Sequence, residues 1–267
     1  MSAYLRPAIA VLKRDFLNAK SYRVRFFTGL ISGFANLAVF YYISRLVRLE
    51  GSLTPDGYFA FVTIGIVIFT IVSATLTAPF SALRQDLVAG TFERMLLAPG
   101  GTITSIVSLL MFPALYALLT VMAMLCFASL VFGVEVRWST VPLSVPLALA
   151  AIVAFAPFGV LMQASVVIGK KAPPGSNYLI LAISLVAGLY FPVALLPDWI
   201  QWASEVQPFT PAADLLRWAV AGQPLLDSGW VDLAKLAAFA LVALPLSMGA
   251  LAMAIRMSRR RGTILEY

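Results

Sequence analysis

Long stretches that lack any charged residue recur along this chain, and they limit its possible folds more than any other feature. One runs from Arg94 to Glu135 and another from Arg137 to Lys170. Of the 267 residues, 61% are hydrophobic and 12% are charged, which is about half the charged fraction typical of a soluble chain. Because one soluble core cannot bury so much apolar surface, the pattern predicts an all-α integral membrane protein.

Six of the gaps between charges are long enough for a crossing helix, which needs about 20 apolar residues. We therefore predict a single transmembrane domain over residues 1–267 with six spans. The third gap is too short for two helices and a turn, so it favours one long helix. Pro113 and Pro157 lie inside spans and predict kinks. The predicted spans cover about 26–46, 58–83, 102–132, 142–168, 177–196 and 234–255.

A basic helix is predicted ahead of the first span, over residues 3–25. Its apolar residues recur at steps of four and three, so they share one helical face. Six Lys and Arg residues accompany a single acid, Asp15. We expect this helix to lie on the membrane surface, attracted to anionic lipid, and a second role in bracing a partner subunit stays open. The apolar face comprises Leu5, Ile9, Leu12, Phe16 and Ala19.

The distribution of charge predicts the orientation of the chain. With the N-terminus inside, 14 of the 19 Lys and Arg residues lie on the cytoplasmic side, as the positive-inside rule requires. Eight of the 12 acids lie on the outer side. Both termini are therefore expected in the cytoplasm. The net charge of +7 then reflects topology, and no nucleic-acid partner is predicted.

Between the second and third spans, the charged segment over residues 84–99 must leave the membrane and turn back. Its apolar residues follow Gly90 and Thr91 with helical spacing, and Pro99 ends the pattern. This predicts a short amphipathic helix on the cytoplasmic side. Two functions fit it: a surface turn that dips into the lipid interface, or a helix that docks on a soluble partner.

Between the fifth and sixth spans, residues 197–230 contain the signals of two short helices. Asp198 precedes Gln201 by three residues, and Thr210 is followed by Pro211 at the first helical position, both typical of helix starts. Neither helix is long enough to cross a membrane. They form either a lid at the interface or a pair of re-entrant helices that close the mouth of a pathway. Four tryptophans would hold them at the outer headgroups: Trp199, Trp202, Trp218 and Trp230.

Two motifs, together with the order of the elements, resemble the membrane subunits of ABC type 2 exporters. The first, D-x-x-x-G-T-F-E-R-M-L-L-A-P, extends from Asp86 to Pro99. The second, L-P-x-W-I-Q followed by Q-P-F-T and D-L-L-R, extends from Leu196 to Arg217. The resemblance covers nearly the whole chain: a surface helix, six spans, a docking helix after the second span and paired outer helices before the sixth.

The resemblance implies a coupling helix that docks on a cytoplasmic ABC ATPase, with ATP and Mg bound by that partner. It also implies a homodimer of this chain in the bacterial cytoplasmic membrane. The residues that it assigns to coupling are Asp86, Gly90, Thr91, Phe92, Glu93 and Arg94. Those that it assigns to an outer gate are Trp199, Pro208, Pro211, Asp214 and Arg217.

The residues themselves argue against chemistry on this chain. There is no histidine, and the single cysteine, Cys126, lies in an apolar run. Zinc clusters, disulfides and cysteine nucleophiles are therefore not expected. No G-x-x-x-x-G-K-[ST] loop occurs, so ATP is not bound by that device. We predict no catalytic residue, no metal site and no cofactor on this chain.

Polar and aromatic residues inside the spans suggest a route, although each is also typical of a plain helix-packing contact. No acid or base lies well inside a predicted span, which favours an apolar or amphiphilic substrate, such as a drug-like molecule or a lipid. A lipid-linked glycan is an alternative cargo. A non-transporting scaffold and a lipid-modifying enzyme are alternative functions, and the enzyme would need a cluster of acids, histidines or a metal. The suggested route residues are Asn36, Tyr41, Thr70, Ser73 and Tyr190.

Overall fold

The computed structural model describes residues 2–21, 23–46, 55–92, 95, 97, 101–169 and 175–260. In these ranges the regular elements are helices, and one further turn of 3-10 helix covers Val193–Leu195. The α-helices are α1 (Ser2–Ser21), α2 (Arg23–Leu46), α3 (Pro55–Val88), α4 (Thr102–Ser108), α5 (Met111–Phe132), α6 (Val141–Gly169), α7 (Ser176–Val186), α8 (Asp198–Val206), α9 (Phe209–Ala221) and α10 (Gly229–Arg260).

Five helical stretches are long and apolar enough to cross a membrane, which confirms the prediction of an all-α integral membrane protein. α4 and α5 together make one of them. These helices carry apolar residues on nearly all of their faces, as expected for helices that contact lipid and other helices. The stretches are Phe27–Leu46, Gly57–Val88, Thr102–Phe132, Val141–Gly169 and Gly229–Arg260.

The predicted fifth span, 177–196, is not one continuous helix. α7 has 11 residues and ends at Val186, so at 1.5 Å per residue it is about 16 Å long, roughly half the hydrocarbon thickness. The chain then turns through Gly188, which has φ of 67°, a conformation that favours glycine. Apolar composition alone predicted a full helix here, because the residues after Val186 are as apolar as those before it.

The predicted third span is likewise interrupted, at Leu109 and Leu110. Their N–H groups donate to the carbonyls of Ile106 and Val107, three residues earlier. Pro113 explains the break, because its ring lacks an N–H and would crowd the carbonyl four residues before it. The side chain of Gln163 on α6 donates to the Ile106 carbonyl at 3.0 Å. Pro157, by contrast, lies in α6 without interrupting it.

The centre of the structure is a close crossing of α3 and α6. A Cβ atom on Gly159 would lie 2.3 Å from the carbonyl oxygen of Thr75, so only glycine fits. That carbonyl would normally accept a bond from residue 79, but Pro79 has no N–H to give. The absence of a side chain at Gly159 thus allows the two backbones to approach where proline has already disrupted the α3 ladder.

Buried apolar side chains form clusters at both ends of this crossing. We call one end the α1 end, because α1 contacts α4 and the last turn of α3 there. The last turns of α6 and α10 lie at the same end, bonded to each other and to α4. We call the other the α9 end, where α9 lies among the first turns of α3, α6 and α10. At that end the rings of Phe155 and Phe209 pack 4.4 Å apart.

Candidate functional site

At the α1 end, Asp86 joins three segments of the chain. The guanidinium of Arg14 on α1 donates to both carboxylate oxygens of Asp86, at 3.2 and 3.1 Å. The hydroxyl of Thr91 donates to Oδ1 of Asp86 at 2.9 Å. Asp86 and Thr91 were predicted to couple to the ATPase, and the structure places both in a network that fixes α1 against the segment after α3.

Gly90 ends α3 in a left-handed conformation with φ of 68°. The N–H of Gly90 donates to the carbonyl of Leu87, and the N–H of Thr91 donates to the carbonyl of Asp86. This pair of bonds is a Schellman motif, which satisfies carbonyls that a helix end otherwise leaves open. Because the positive φ favours glycine, Gly90 sets the direction in which the chain leaves α3.

Phe92 and Met95 hold the following segment against the bundle. Both have helical backbone, and their side chains are 2% and 6% exposed. Glu93 and Arg94, the predicted contact charges, lie outside the described residues. Two apolar side chains point away instead: Val88 is 70% exposed and Leu97 is 85% exposed. The cluster that receives Phe92 and Met95 includes Leu83, Leu87, Ile106, Leu109, Val167, Leu251 and Ile255.

The apolar face predicted for α1 is divided in the structure. Ile9 and Phe16 are exposed, as a helix on a lipid surface requires. Val11, outside the predicted face, packs against the buried cluster. Arg14 also bonds Asp15 at 2.9 Å. Burial raises the pKa of the Asp15 carboxyl, and the adjacent Arg14 opposes that shift. The long-range partner of Arg14 could not be identified from its spacing along the helix.

Side chains of α10 tie the other elements of the α1 end together. The hydroxyl of Ser258 donates to the Val167 carbonyl of α6 at 2.9 Å. Arg259 donates to the hydroxyl of Thr102, the first residue of α4, at 3.1 Å. The last turns of α6 and α10 and the start of α4 are thus connected directly beside the segment that holds Phe92.

At the α9 end, two predicted gate residues are buried inside the bundle. Arg217 is 7% exposed, and its guanidinium donates to the carbonyls of Gly188 at 2.8 Å and Leu189 at 3.3 Å. The same group lies 3.7 Å from the ring centroid of Phe61, in cation–π contact. Asp214 accepts a bond from the N–H of Leu226 at 2.8 Å. Both side chains therefore hold α9 in place.

The remaining predicted gate residues divide between the surface and the core. Trp199 on α8 is exposed, as is Trp202. Pro208 and Pro211 are buried at the start of α9. Neither proline is exposed, so both contribute to the packing of α9. Sequence reasoning missed Ser204, whose hydroxyl donates to the Val186 carbonyl at the end of α7 at 2.6 Å.

The five suggested route residues do not form one cluster in a single chain. Asn36 is exposed on α2. Tyr41 packs among aromatic rings, with the Phe132 ring 4.6 Å away. The Thr70 hydroxyl donates to a carbonyl of its own helix at 2.9 Å, and Ser73 is half-buried. The ring of Tyr190, in the turn after α7, stacks on Phe40 and lies 6.2 Å from Phe69.

Comparison with known proteins identifies the family. A comparison with curated proteins finds none that matches. Among the described residues, no group of three or more His, Cys, Asp or Glu side chains is arranged to hold a metal ion. A family model described as ABC-2 type transporter matches residues 8–220, which include most of α1, residues 84–99, the interrupted fifth span and most of α9. This chain therefore belongs to the ABC-2 type transporter family, as the membrane-embedded component of a transporter.

Proposed function

We propose that this chain is the permease subunit of an ATP-driven exporter. In this proposal residues 84–99, which we call the coupling segment, transmit ATP hydrolysis from a separate ATPase that binds ATP and Mg. The observation that carries the proposal is the two-sided construction of this segment. Asp86, Thr91, Phe92 and Met95 face this subunit. Leu97 points outward. The segment thus offers an apolar side chain to a partner while its other side is packed against the bundle.

A partner that moves this segment also moves the bundle. The segment is bonded to α1 through Arg14 and Asp86, and Phe92 and Met95 pack in the cluster that includes residues of α4, α6 and α10. Packed interiors transmit displacement because they leave little free volume. Glu93 and Arg94 remain the expected polar contacts with the ATPase, flanked by the apolar contact at Leu97.

We expect two copies of this chain to form the route. Of the five candidate spans, α2 is the least buried: other parts of the chain bury only 11% of its apolar stretch. Its exposed residues include Asn36, which carries an amide. An amide facing hydrocarbon is costly, whereas an amide facing a second copy or a water-filled route finds partners. Asn36 therefore favours a homodimer in which α2, α3 and α7 face the route.

The proposed cargo is an apolar or amphiphilic molecule, such as a drug-like compound or a lipid, moved outward from the cytoplasm or the inner leaflet. The aromatic rings of Phe40, Phe69 and Tyr190 suit flat apolar groups, because rings prefer stacked or edge contacts. A lipid-linked glycan is the second candidate, because its sugars would need many polar partners along the route.

The proposed setting is the bacterial cytoplasmic membrane, with the α1 end in the cytoplasm. Positive charge collects at that end, as expected for its cytoplasmic face. In a variant with Cys126→Ala, a membrane-impermeant thiol reagent should label Arg260→Cys only from the cytoplasmic side and Ser228→Cys only from outside. Labelling of both from the same side would contradict this topology.

The proposed function is tested by purifying this chain with its ATPase and measuring ATP-driven export into or out of vesicles. Glu93→Arg should leave membrane insertion unchanged but abolish complex formation or export, since an unmatched charge in a partly buried interface costs about 2–5 kcal/mol. An ATPase without its phosphate-binding lysine serves as the matched inactive control. A chain that binds no ATPase and exports nothing would support the scaffold function instead.

A further inference from the structure

The end of α7 is held by side chains from both short helices that follow it. A helix leaves its last four carbonyls without partners inside the helix. Here Ser204 of α8 donates to the Val186 carbonyl, and Arg217 of α9 donates to the carbonyls of Gly188 and Leu189 just beyond. α8 and α9 therefore both bond the interrupted end of the fifth span. The two helices differ greatly, however, in how firmly the rest of the structure holds them.

α9 is fixed from several directions. Ten of its 13 residues are buried, and Arg217 and Asp214 bond the segments before and after it. Its last carbonyls are also occupied: the N–H of Arg137 donates to Val220 at 2.8 Å, and the hydroxyl of Thr140 donates to Ala219 at 2.5 Å. Moving α9 would break bonds to three different segments at once.

α8 has far fewer attachments. Ser204 is its single buried residue. Within the described part of the chain, the bond from Ser204 to Val186 is the one side-chain hydrogen bond from α8 to another helix. Gln201 donates to the Leu196 carbonyl, a contact within its own stretch of chain that does not tie α8 to another helix. Pro197 and Gln207, on either side of α8, have extended backbone, so α8 is not continuous with a neighbouring helix.

We propose that α8 alone moves when the α9 end opens during transport, and that Ser204 is the positioning residue that latches α8 onto the end of α7. This inference rests on the proposed function, in which the α9 end is the outer mouth of the route. α9 and the turn after α7 stay fixed and form the frame against which α8 closes. The exposed Trp199 and Trp202 keep the moving helix at the headgroup level.

The test uses the assembled complex with Cys126→Ala and a single added cysteine, Ala203→Cys, which is half-buried on α8. A membrane-impermeant maleimide is applied from the outside. Ser204→Ala should raise the labelling rate about fivefold without ATP, the change expected from losing one hydrogen bond. Ser184→Ala is the matched control, because that hydroxyl bonds a carbonyl of its own helix, and it should leave the rate unchanged.

The second arm compares the two helices during ATP turnover. Labelling at Ala203→Cys should rise when ATP is added, while Ala219→Cys on α9, a fully buried position, should stay protected. Equal rates for Ser204→Ala and Ser184→Ala would overturn the latch. A rise at Ala219→Cys together with Ala203→Cys would overturn the claim that α8 moves alone.

Export by the same preparations separates this inference from the proposed function. A complex that exports substrate while labelling at Ala203→Cys ignores ATP contradicts the moving role of α8. A preparation that neither binds an ATPase nor exports contradicts the proposed function. The Ser204→Ala comparison needs no ATP, so it decides the latch in either case.

Discussion

Replacing Phe92 by alanine should detach the coupling segment from the bundle without unfolding the spans. The Phe92 side chain is 2% exposed and packs in the cluster at the α1 end. Removing a buried phenylalanine side chain costs about 3–5 kcal/mol, which corresponds to a change of about 100-fold or more in the ratio of attached to detached segment. Among the described residues after Thr91 in this segment, the buried side chains are those of Phe92 and Met95. Losing one of the two should therefore allow this part of the segment to open locally.

Amide hydrogen exchange in the assembled complex measures this directly. Peptides covering residues 86–97 should exchange faster in Phe92→Ala, while peptides from α6 keep their protection. The ATPase should still bind through the outward contact, but export per ATP hydrolysed should fall. Phe16→Ala is the matched control, since it deletes the same side chain from an exposed site, and a surface change of this kind alters stability by about 0.5 kcal/mol or less.

The reasoning would be refuted if Phe92→Ala left both exchange and export unchanged. That result would mean that the segment is held by something other than its buried side chains. Loss of protection throughout α6 would be a different failure, because the cluster would then support the spans themselves and would not act as an anchor for the segment alone.

Two further predictions concern the bonds and close contacts that hold the α1 end and the central crossing. Arg14→Asp should lower export per ATP hydrolysed, by an amount that reflects about 1 kcal/mol or less for this partly exposed ion pair. Combining Arg14→Asp with Asp86→Arg should restore part of the export, because the two charges are again opposite. Additive losses in the double variant would show that the pair is not coupled. Gly159→Ala should destabilise the protein by about 1–3 kcal/mol in a thermal unfolding assay, since its Cβ would meet the Thr75 carbonyl at 2.3 Å, whereas Gly249→Ala has open space and should not.

The spans could be predicted from sequence because their signal is local. Charge-free runs located the stretches around α2, α3, α5, α6 and α10, and the long helices follow from the need to satisfy every backbone group inside lipid. Pro113 predicted a kink in the third span. The helix is interrupted at Leu109 and Leu110, four and three residues before this proline. In each case the local sequence is sufficient: an apolar run predicts a span, and a proline predicts a helix break.

The end of α7 was missed because one cause is a single glycine in an apolar run and the other lies elsewhere in the chain. The N–H groups of Gly188 and Leu189 donate to the carbonyls of Leu185 and Ser184, which closes the helix in a Schellman turn. The side chains of Ser204 and Arg217 then take the carbonyls of Val186 and Gly188. Sequence motifs did single out Arg217, but as a gate residue and not as the partner of a helix end. Ser204 gave no signal, since a lone serine on a short helix is common.

The turn after α3 was predicted in position, but the orientation of its side chains was not. The motif located Asp86, Gly90 and Thr91, yet composition could not tell which side chains face inward. Phe92 is buried and Leu97 is exposed, although both are apolar residues of one short amphipathic stretch. Which side packs inward depends on the Schellman turn at Gly90 and on the bond between Asp86 and Arg14, a residue 72 positions away.

Site-specific photo-crosslinking from position 97 tests the central claim most directly. A photoreactive amino acid replaces Leu97, the outward-facing residue of the coupling segment, in membranes that contain both this chain and its ATPase. The same amino acid at Leu119, an exposed position on α5, serves as the control. The account predicts a crosslink to the ATPase from position 97 and none from position 119. An ATPase that co-purifies with this chain but never crosslinks from position 97 would contradict it.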